Sequence, residues 1–194
     1  MPNHVESSWL IKGPIEDLEK LLDTIKGKNW HGDKSIFTPH KIIPMPQELI
    51  TASDDAKSEK LSAWYDWSVK NWGSKWEPYE VSIHKWYPPN SLRLINDLAN
   101  KGPVPGKLYI HFQTAWSPIT PVIQKLSEMF PTLHFTYAFL DEGMGFAVIQ
   151  TYQEGKILEE REMKKSNSKD TVYRAVKNKL RLGSGDWELI EEQD

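Results

Sequence analysis

The stretch KLYIHFQTAWSPITPVIQKLSEMFPTLHFTYAF, residues 107–139, decides the fold of this chain. Apolar and polar residues alternate over 108–114 and again over 133–139, and this period of two predicts a β-strand at each end. Between them, Ser117-Pro118 predicts the start of a helix, because serine caps helix N-termini and proline suits the first helical position. Pro131 is predicted to end that helix. The stretch is therefore predicted to form a strand, a helix and a second strand.

The flanking residues continue the same two patterns, with further strands of period two and amphipathic helices of period 3.6. The predicted elements are strands at 5–11 and 79–83, helices at 15–25, 61–72 and 170–182, a short helix at 92–99, and hairpin turns at 141–143 and 154–155. Helices beside a mostly antiparallel sheet define the α+β class. Because the order contains split β-α-β units, we predict a ferredoxin-like fold with the helices packed on one face of the sheet.

The chain has 194 residues, enough for one large domain or two small ones. We predict a single α+β domain over 1–194. The segment most typical of a linker is Gly102-Pro103-Val104-Pro105-Gly106. It indicates a possible subdivision into an N-terminal half, 1–102, and a C-terminal half, 107–194.

Composition excludes several classes of function. The chain contains no cysteine and has a formal net charge of -3. Disulfides, thiolate metal sites and cysteine nucleophiles are therefore excluded, and the charge supplies no overall basic footprint for nucleic acid. The first residues lack a basic region followed by an apolar run, and no apolar stretch is long enough to cross a bilayer. We expect a cytoplasmic protein without a membrane partner.

The segment Trp64–Pro78 contains four of the nine tryptophans. Aromatic side chains bury large areas and also recognise partners, so the segment is either a keystone of the core or a recognition surface. We divide it at Gly73, which is predicted to end the helix. The aromatic residues before that glycine, Trp64, Tyr65 and Trp72, are predicted to pack in the core. The turn beyond it is the candidate contact region.

Two turns, 73–77 and 114–118, each adjoin the end of a predicted strand and can therefore converge into a tryptophan-lined pocket. The alternative interpretation is structural: the tryptophans fill the core, and Lys75 pairs with Glu77 to lock the turn. The candidate binding residues from this argument are Trp72, Lys75, Trp76, Glu77, Trp116 and Ser117.

Several short strings also occur in one order along nearly the whole chain. They are Met1–Val5, Ile43–Pro46, Asn71–Glu77, Thr114–Pro118 and Asp141–Gly143. Together they resemble the Api92-like/YubB family, whose members are found on phages and conjugative plasmids. The resemblance implies a ferredoxin-like α+β fold and an origin in a mobile genetic element, and it implies no activity. Further candidate binding residues that lie in these strings are Asn71, Thr114 and Glu142.

Catalytic and metal-binding motifs receive little support. His84, His111 and His134 each lie on the side of a predicted strand opposite its larger apolar set. If those strands are neighbours, the three imidazoles could hold a metal, and scattered solvent-facing histidines are the alternative. The chain has no nucleophile elbow, no P-loop and no dinucleotide-binding glycine motif. We predict no catalytic residue, no metal and no cofactor.

We therefore predict a non-enzymatic binding protein of a phage or plasmid. Its partner would be a host macromolecule, such as a defence or regulatory protein, engaged through 71–77 and 114–118. That partner class rests on the family resemblance. One alternative is a nucleic-acid-binding protein that stacks bases on an outward Trp86, Tyr109 or Tyr137 and uses the basic residues of a C-terminal helix. Another is an enzyme with a small substrate in a tryptophan-lined cleft. The oligomeric state is left open.

Overall fold

The computed structural model of the chain describes residues 3–54, 61–86, 104–164 and 168–181. Its strands are β1 (His4–Pro14), β2 (Gly27–Lys28), β3 (Lys34–Ser35), β4 (Tyr79–Trp86), β5 (Pro105–Ala115), β6 (His134–Asp141), β7 (Ala147–Gln153) and β8 (Lys156–Glu162). Its helices are α1 (Ile15–Ile25), α2 (Gln47–Asp54), α3 (Leu61–Trp72), α4 (Thr120–Met129) and α5 (Thr171–Arg181), with a short 3-10 helix at Pro39–Lys41. Six strands form one sheet in the order β4-β5-β1-β6-β7-β8, and β2 pairs with β3.

β1 lies inside the large sheet, antiparallel to β5 on one side and to β6 on the other. β4 pairs with the outer side of β5, and helical segments connect β1 to β4 and β5 to β6. The order β4-β5-β1-β6 with these connections is ferredoxin-like, which confirms the predicted α+β class. The β7–β8 hairpin extends the sheet beyond β6.

The larger core lies between one face of the sheet and the helices α1 and α4. Trp9 of β1 is fully buried there, with its ring centroid 5.0 Å from that of Phe37 and 5.1 Å from that of Phe112. Burying a large apolar side chain contributes about 1.5–3 kcal/mol, so this face supplies much of the driving force for folding. α1 packs against this core with the apolar side that its helical period predicted. The buried residues of that side are Leu18, Leu21, Leu22 and Ile25.

α5 lies on the opposite face of the sheet. Its buried residues Val176 and Leu180 pack in a second, smaller cluster with Ala138, Leu140 and Ile149 of β6 and β7. The prediction that the helices share one face therefore holds for α1 and α4 and differs for α5. The physical reason is that β6 and β7 are apolar on both sides, so their second face also needs a cover.

The predicted start of α4 is wrong by a few residues. Ser117 does not cap it: the helix begins at Thr120, after Ile119, and Pro121 occupies its first turn. The Ser117 hydroxyl donates instead to the carbonyl oxygen of Gly73, 2.5 Å away. A tertiary hydrogen bond has thus taken the side chain that local capping rules would assign to the helix.

Other boundaries follow the predictions more closely. The Asp170 carboxylate accepts hydrogen bonds from the amides of Val172 and Tyr173, at 2.8 and 3.3 Å, and so caps α5. α2 was not predicted, because Gln47–Asp54 carries a weak apolar period. The predicted helix at 92–99 and the start of the linker-like stretch lie outside the described residues. Within those residues, no helix combines the length and apolarity needed to cross a bilayer.

Candidate functional site

The turn after α3 and the turn after β5 contact each other at one end of the sheet. The Ser117 hydroxyl donates to the carbonyl oxygen of Gly73, and the Ser74 hydroxyl donates to that of Ala115 at 3.2 Å. Gly73 has φ +90°, and a Cβ atom there would lie 2.5 Å from the carbonyl oxygen of Pro118. Only glycine tolerates both the left-handed backbone and this approach. The two turns that we predicted to converge therefore form one hydrogen-bonded unit.

The inner side of this unit is structural. Trp72 is fully buried, and its indole Nε1 donates to the carbonyl oxygen of Ile43 at 2.9 Å. The Glu77 carboxylate is largely buried and accepts the amide of Trp30 at 3.1 Å. Burial raises the pKa of Glu77, and hydrogen bonds from Thr38 and Trp30 oppose that shift only in part. Trp72 and Glu77, both predicted candidates, thus hold the turn from inside.

Glu77→Gln is expected to remove a pH dependence of stability. Because the pKa of Glu77 in the folded chain lies above its ordinary value of 4.5, the folded chain binds this proton more tightly than the unfolded chain. Ionisation then costs stability as the pH rises through the window that begins near 4.5. Glutamine keeps an acceptor for the Trp30 amide and does not ionise.

The measurement is urea unfolding of both proteins over a pH series. The wild-type chain should lose stability relative to Glu77→Gln as the pH rises through that window. A gap between the two proteins that widens in the opposite direction, as the pH falls, would contradict the raised pKa.

The outer side of the unit carries Lys75 and Trp76. The Lys75 ammonium lies 4.6 Å from the ring centroid of Trp76 and 5.8 Å from that of Tyr65, which are cation–π distances. Lys75 therefore faces aromatic rings, while Glu77 faces the interior, in contrast to the local ion pair of the structural interpretation. Tyr65 is exposed, so its predicted place in the core is wrong, whereas Trp64 packs against the core.

Two further predicted residues serve the local backbone. The Asn71 side-chain amide donates to the carbonyl oxygen of Trp67 at 2.8 Å, one turn earlier in α3. Thr114 is fully buried, and its hydroxyl donates to the carbonyl oxygen of Ser117 at 2.8 Å. Both side chains therefore stabilise the local backbone of the two turns.

Trp116 is the exception among the predicted tryptophans. Its side chain is 53% exposed, and its backbone is left-handed, with φ +69°. A bulky residue in this region is an outlier that costs about 1–3 kcal/mol unless its surroundings enforce it. Here the Trp116 amide donates to the carbonyl oxygen of Asn3 at 2.9 Å, and the next residue is held by the Ser117–Gly73 hydrogen bond. The fold therefore holds this indole out in solvent at a cost.

Met144 repeats the same feature nearby. It is 37% exposed with φ +56°, and its amide donates to the carbonyl oxygen of Asp141 at 2.9 Å. The buried Asp141 carboxylate accepts the amide of Gly145 at 2.8 Å and the side-chain amide of Asn3. Asn3 thus links the Trp116 turn to the Met144 turn. Our sequence prediction missed Met144, and its signal was the tight string Asp-Glu-Gly-Met-Gly.

Acidic residues flank these two apolar side chains. The Glu142 carboxylate accepts the amide of His4 at 3.0 Å, and the His4 Nδ1 lies 2.5 Å from the Tyr79 hydroxyl oxygen. Burial raises the pKa of Tyr79, and the charges of Glu80 and Glu142 raise it further. The carboxylates of Glu80 and Glu142 therefore both act on the Tyr79 hydroxyl. We call the five residues His4, Glu80, Trp116, Glu142 and Met144 the Trp116 surface.

The three histidines do not converge. Strand register places His84 opposite Tyr109 and His111 opposite Ser82, so these two are diagonal neighbours on β4 and β5. His134 lies opposite Lys12, at the far end of the sheet. Among the residues that the structure describes, no group of three or more His, Asp or Glu side chains is placed to hold a metal ion. Register, which the sequence did not reveal, decides this outcome.

A groove of about 520 Å³ lies between α3, α4 and the β7–β8 turn. It is lined mainly by lysine, glutamate and amide side chains, including Lys70, Asn71 and Glu128, and none of its lining residues is a tryptophan. It is therefore a different feature from the tryptophan-lined cleft that one alternative required. The Trp116 surface remains the feature in which exposed apolar groups, backbone strain and charge coincide.

Comparison with known proteins supports the fold. Residues 96–177 match the family model of the ferredoxin-like domain in Api92-like protein. The crystal structure of a protein api92 from Yersinia pseudotuberculosis is similar, with a TM-score of 0.51 and 8% sequence identity over 84% of this chain and 98% of that chain. At this identity the structural likeness shows the fold alone. No curated protein sequence matches the chain. The family model thereby confirms the resemblance to the Api92-like family over residues 96–177.

Proposed function

We propose that this chain, which carries the ferredoxin-like domain of Api92-like proteins, acts by binding a partner protein through the Trp116 surface. The observation that carries the proposal is the exposed indole of Trp116 on a left-handed, hydrogen-bonded backbone. Strain of this kind persists where the surrounding structure enforces it, and it clusters at functional sites. Tryptophan is also among the residues enriched at the energetic hot spots of protein interfaces.

The positions of the other residues with positive φ also support the Trp116 surface as the binding surface. The described residues include four non-glycine positions with positive φ: Glu80, Trp116, Met144 and Glu154. The first three lie at the sheet end where β4 begins and where β5 and β6 end. Glu154 lies in the two-residue β7–β8 turn, where a left-handed backbone is ordinary. Three of the four left-handed residues thus lie on the Trp116 surface, at the register shift of β4 and in the turns that follow β5 and β6.

Charge indicates what kind of partner fits. The exposed carboxylates of Glu80 and Glu142 flank the apolar pair Trp116 and Met144. They would repel a phosphate backbone and attract lysine or arginine. The expected partner therefore offers an apolar pocket for the indole with basic side chains at its rim.

The family resemblance supports a biological setting for this contact. Api92-like proteins resemble this chain in the strings that build the Trp116 surface, and their occurrence on phages and conjugative plasmids supports a mobile-element origin. A host protein of the cytoplasm, such as a defence or regulatory protein, is then the proposed partner. In this proposal the chain binds and does not catalyse.

Trp116→Gly is expected to weaken partner binding by about thirtyfold or more while leaving the fold intact or more stable. Glycine accepts φ +69° without strain, so the free energy of unfolding should stay unchanged or rise by up to about 1 kcal/mol. Loss of an interface anchor of this type should weaken binding by about 2 kcal/mol or more. Urea unfolding and titration calorimetry measure the two quantities.

The partner is first captured from host lysate with and without nuclease, then purified and titrated directly. Leu158→Ala is the matched control, because Leu158 is an exposed apolar residue on β8, far from the Trp116 surface. Wild type and Leu158→Ala should bind the purified partner equally. The proposal is wrong if Trp116→Gly binds it as tightly as wild type, or if capture disappears on nuclease treatment.

A further inference from the structure

A second surface lies on the face of the sheet that α5 partly covers. α5 packs against β1, β6 and β7, and β4 and β5 extend this face beyond the helix. Register places Trp86 opposite Lys107 and Lys107 opposite Lys12. Directly opposed residues of antiparallel strands project from the same face. One row across three strands therefore presents an indole and two ammonium groups.

The adjacent row adds a second aromatic side chain. Tyr109 lies two residues from Lys107 on β5 and therefore on the same face. Trp86 is 44% exposed, and the Lys107 ammonium lies 5.0 Å from its ring centroid. Lys179 of α5 lines a small recess together with Tyr109. Two aromatic rings on neighbouring strands are thus accompanied by lysines from β1, β5 and α5.

We infer that this platform, defined as Lys12, Trp86, Lys107, Tyr109 and Lys179, binds single-stranded nucleic acid. Bases would stack on the rings of Trp86 and Tyr109, and the lysines would contact phosphates. Stacking on aromatic side chains beside cations is the general mode by which single strands are held. The two rings lie on β4 and β5, the strands that extend this face beyond α5.

The distribution of charged side chains restricts the bound nucleic-acid strand to one end of the platform. His111, the next residue of this face on β5, is close to Glu6 and Glu80, whose charges act on it. These carboxylates belong to the end of the sheet that carries the Trp116 surface. A phosphate backbone is therefore attracted near Lys107 and repelled near His111. The inference is independent of the proposed protein partner, because the two surfaces share no residue.

Tyr137 has no part in this platform. It is fully buried on the opposite face, where its hydroxyl oxygen accepts the amide of Ile119 at 3.1 Å. Of the three aromatic residues that the sequence offered for stacking, Trp86 and Tyr109 share the outward face and Tyr137 does not. Register separates them, since Tyr137 lies opposite Trp9 of the core.

The test is fluorescence polarisation of the full chain with labelled oligothymidine and oligouridine of about 15 nucleotides. With three lysine contacts, the logarithm of the association constant should fall with the logarithm of salt concentration with a slope of about -2. Trp86→Ala should weaken binding by about tenfold or more, because one stacked base is lost. Lys12→Glu should weaken binding and reduce the slope by about 1 unit.

Lys85→Ala is the matched control, since Lys85 adjoins Trp86 but points to the other face, where its ammonium lies 2.9 Å from Glu19. It should bind as wild type does. Circular dichroism checks folding, and if Trp86→Ala does not fold, Trp86→Phe and the exposed Lys12→Glu carry the test. Comparing the two oligonucleotides shows whether DNA or RNA is preferred. No binding of either at low salt overturns the inference, as does equal binding by wild type and Lys12→Glu.

Discussion

Gly73→Ala is expected to lower the free energy of unfolding by about 3 kcal/mol and to abolish binding at the Trp116 surface. A Cβ atom at this position would lie 2.5 Å from the carbonyl oxygen of Pro118 and 2.9 Å from the Cδ of Pro121. The first contact is with backbone, which cannot rotate away. The left-handed φ of +90° adds its own cost for any residue with a side chain. Relief requires the two turns to move apart, which breaks the Ser117–Gly73 hydrogen bond.

Gly32→Ala separates these two effects. Gly32 has the same φ of +90°, but nothing lies within 4 Å of the place that its Cβ would occupy. The left-handed backbone alone should therefore lower the free energy of unfolding of Gly32→Ala by about 1 kcal/mol. Urea unfolding of both variants gives the difference, which is the cost of the close approach. Equal losses in the two variants would show that the turn after α3 is not held against the turn after β5.

Trp72→Ala is expected to destabilise the chain by about 3–5 kcal/mol. Trp72 is fully buried, and its indole packs edge-on against Trp67 with ring centroids 5.3 Å apart. Truncation leaves a large cavity and also removes the donor to the carbonyl oxygen of Ile43. Trp72→Phe keeps most of the apolar volume and loses the hydrogen bond, so it should cost about 1–2 kcal/mol.

Trp76→Ala is the comparison within the same segment. Trp76 is half-buried, and its ring interacts with the Lys75 ammonium, so its removal should cost about 1 kcal/mol. Denaturant unfolding of the variants at one pH ranks them. If Trp76→Ala is as damaging as Trp72→Ala, then the division of this segment at Gly73 into a core part and an outer part is wrong.

Burial explains why the main strands were predictable. β1, β5 and β6 each have one face against the larger core, and the apolar half of each strand appears in the sequence as a period of two. Trp9 and Ile110, for example, are directly opposed on that face. The same reasoning could not find which strands are neighbours, since period carries no information on pairing. Whether the three histidines converge could not be predicted for that reason.

Tertiary contacts explain the errors in the site. Ser117 has the residue type and the sequence position of a helix cap. Its hydroxyl instead donates to the carbonyl oxygen of Gly73, a residue distant in the chain. Tyr65 has helical spacing with the core residues, yet it lies at the exposed edge of that helix face. Trp116 was predicted as a candidate binding residue through its motif, and its positive φ was not predicted. Positive φ at a tryptophan or a methionine is a property of the folded backbone, which side-chain patterns do not encode.

The inner position of β1 also has a consequence for folding during synthesis. Its two partners, β5 and β6, lie far downstream, so both edges of β1 stay unpaired until the ribosome has released residues 105–115. Pairings over such sequence distances form slowly, because the loop must close before any contact stabilises it. A nascent chain that ends between β5 and β6 has β1 paired on one side and open on the other. That free edge is a template for association with other chains, and only the arrival of β6 removes it.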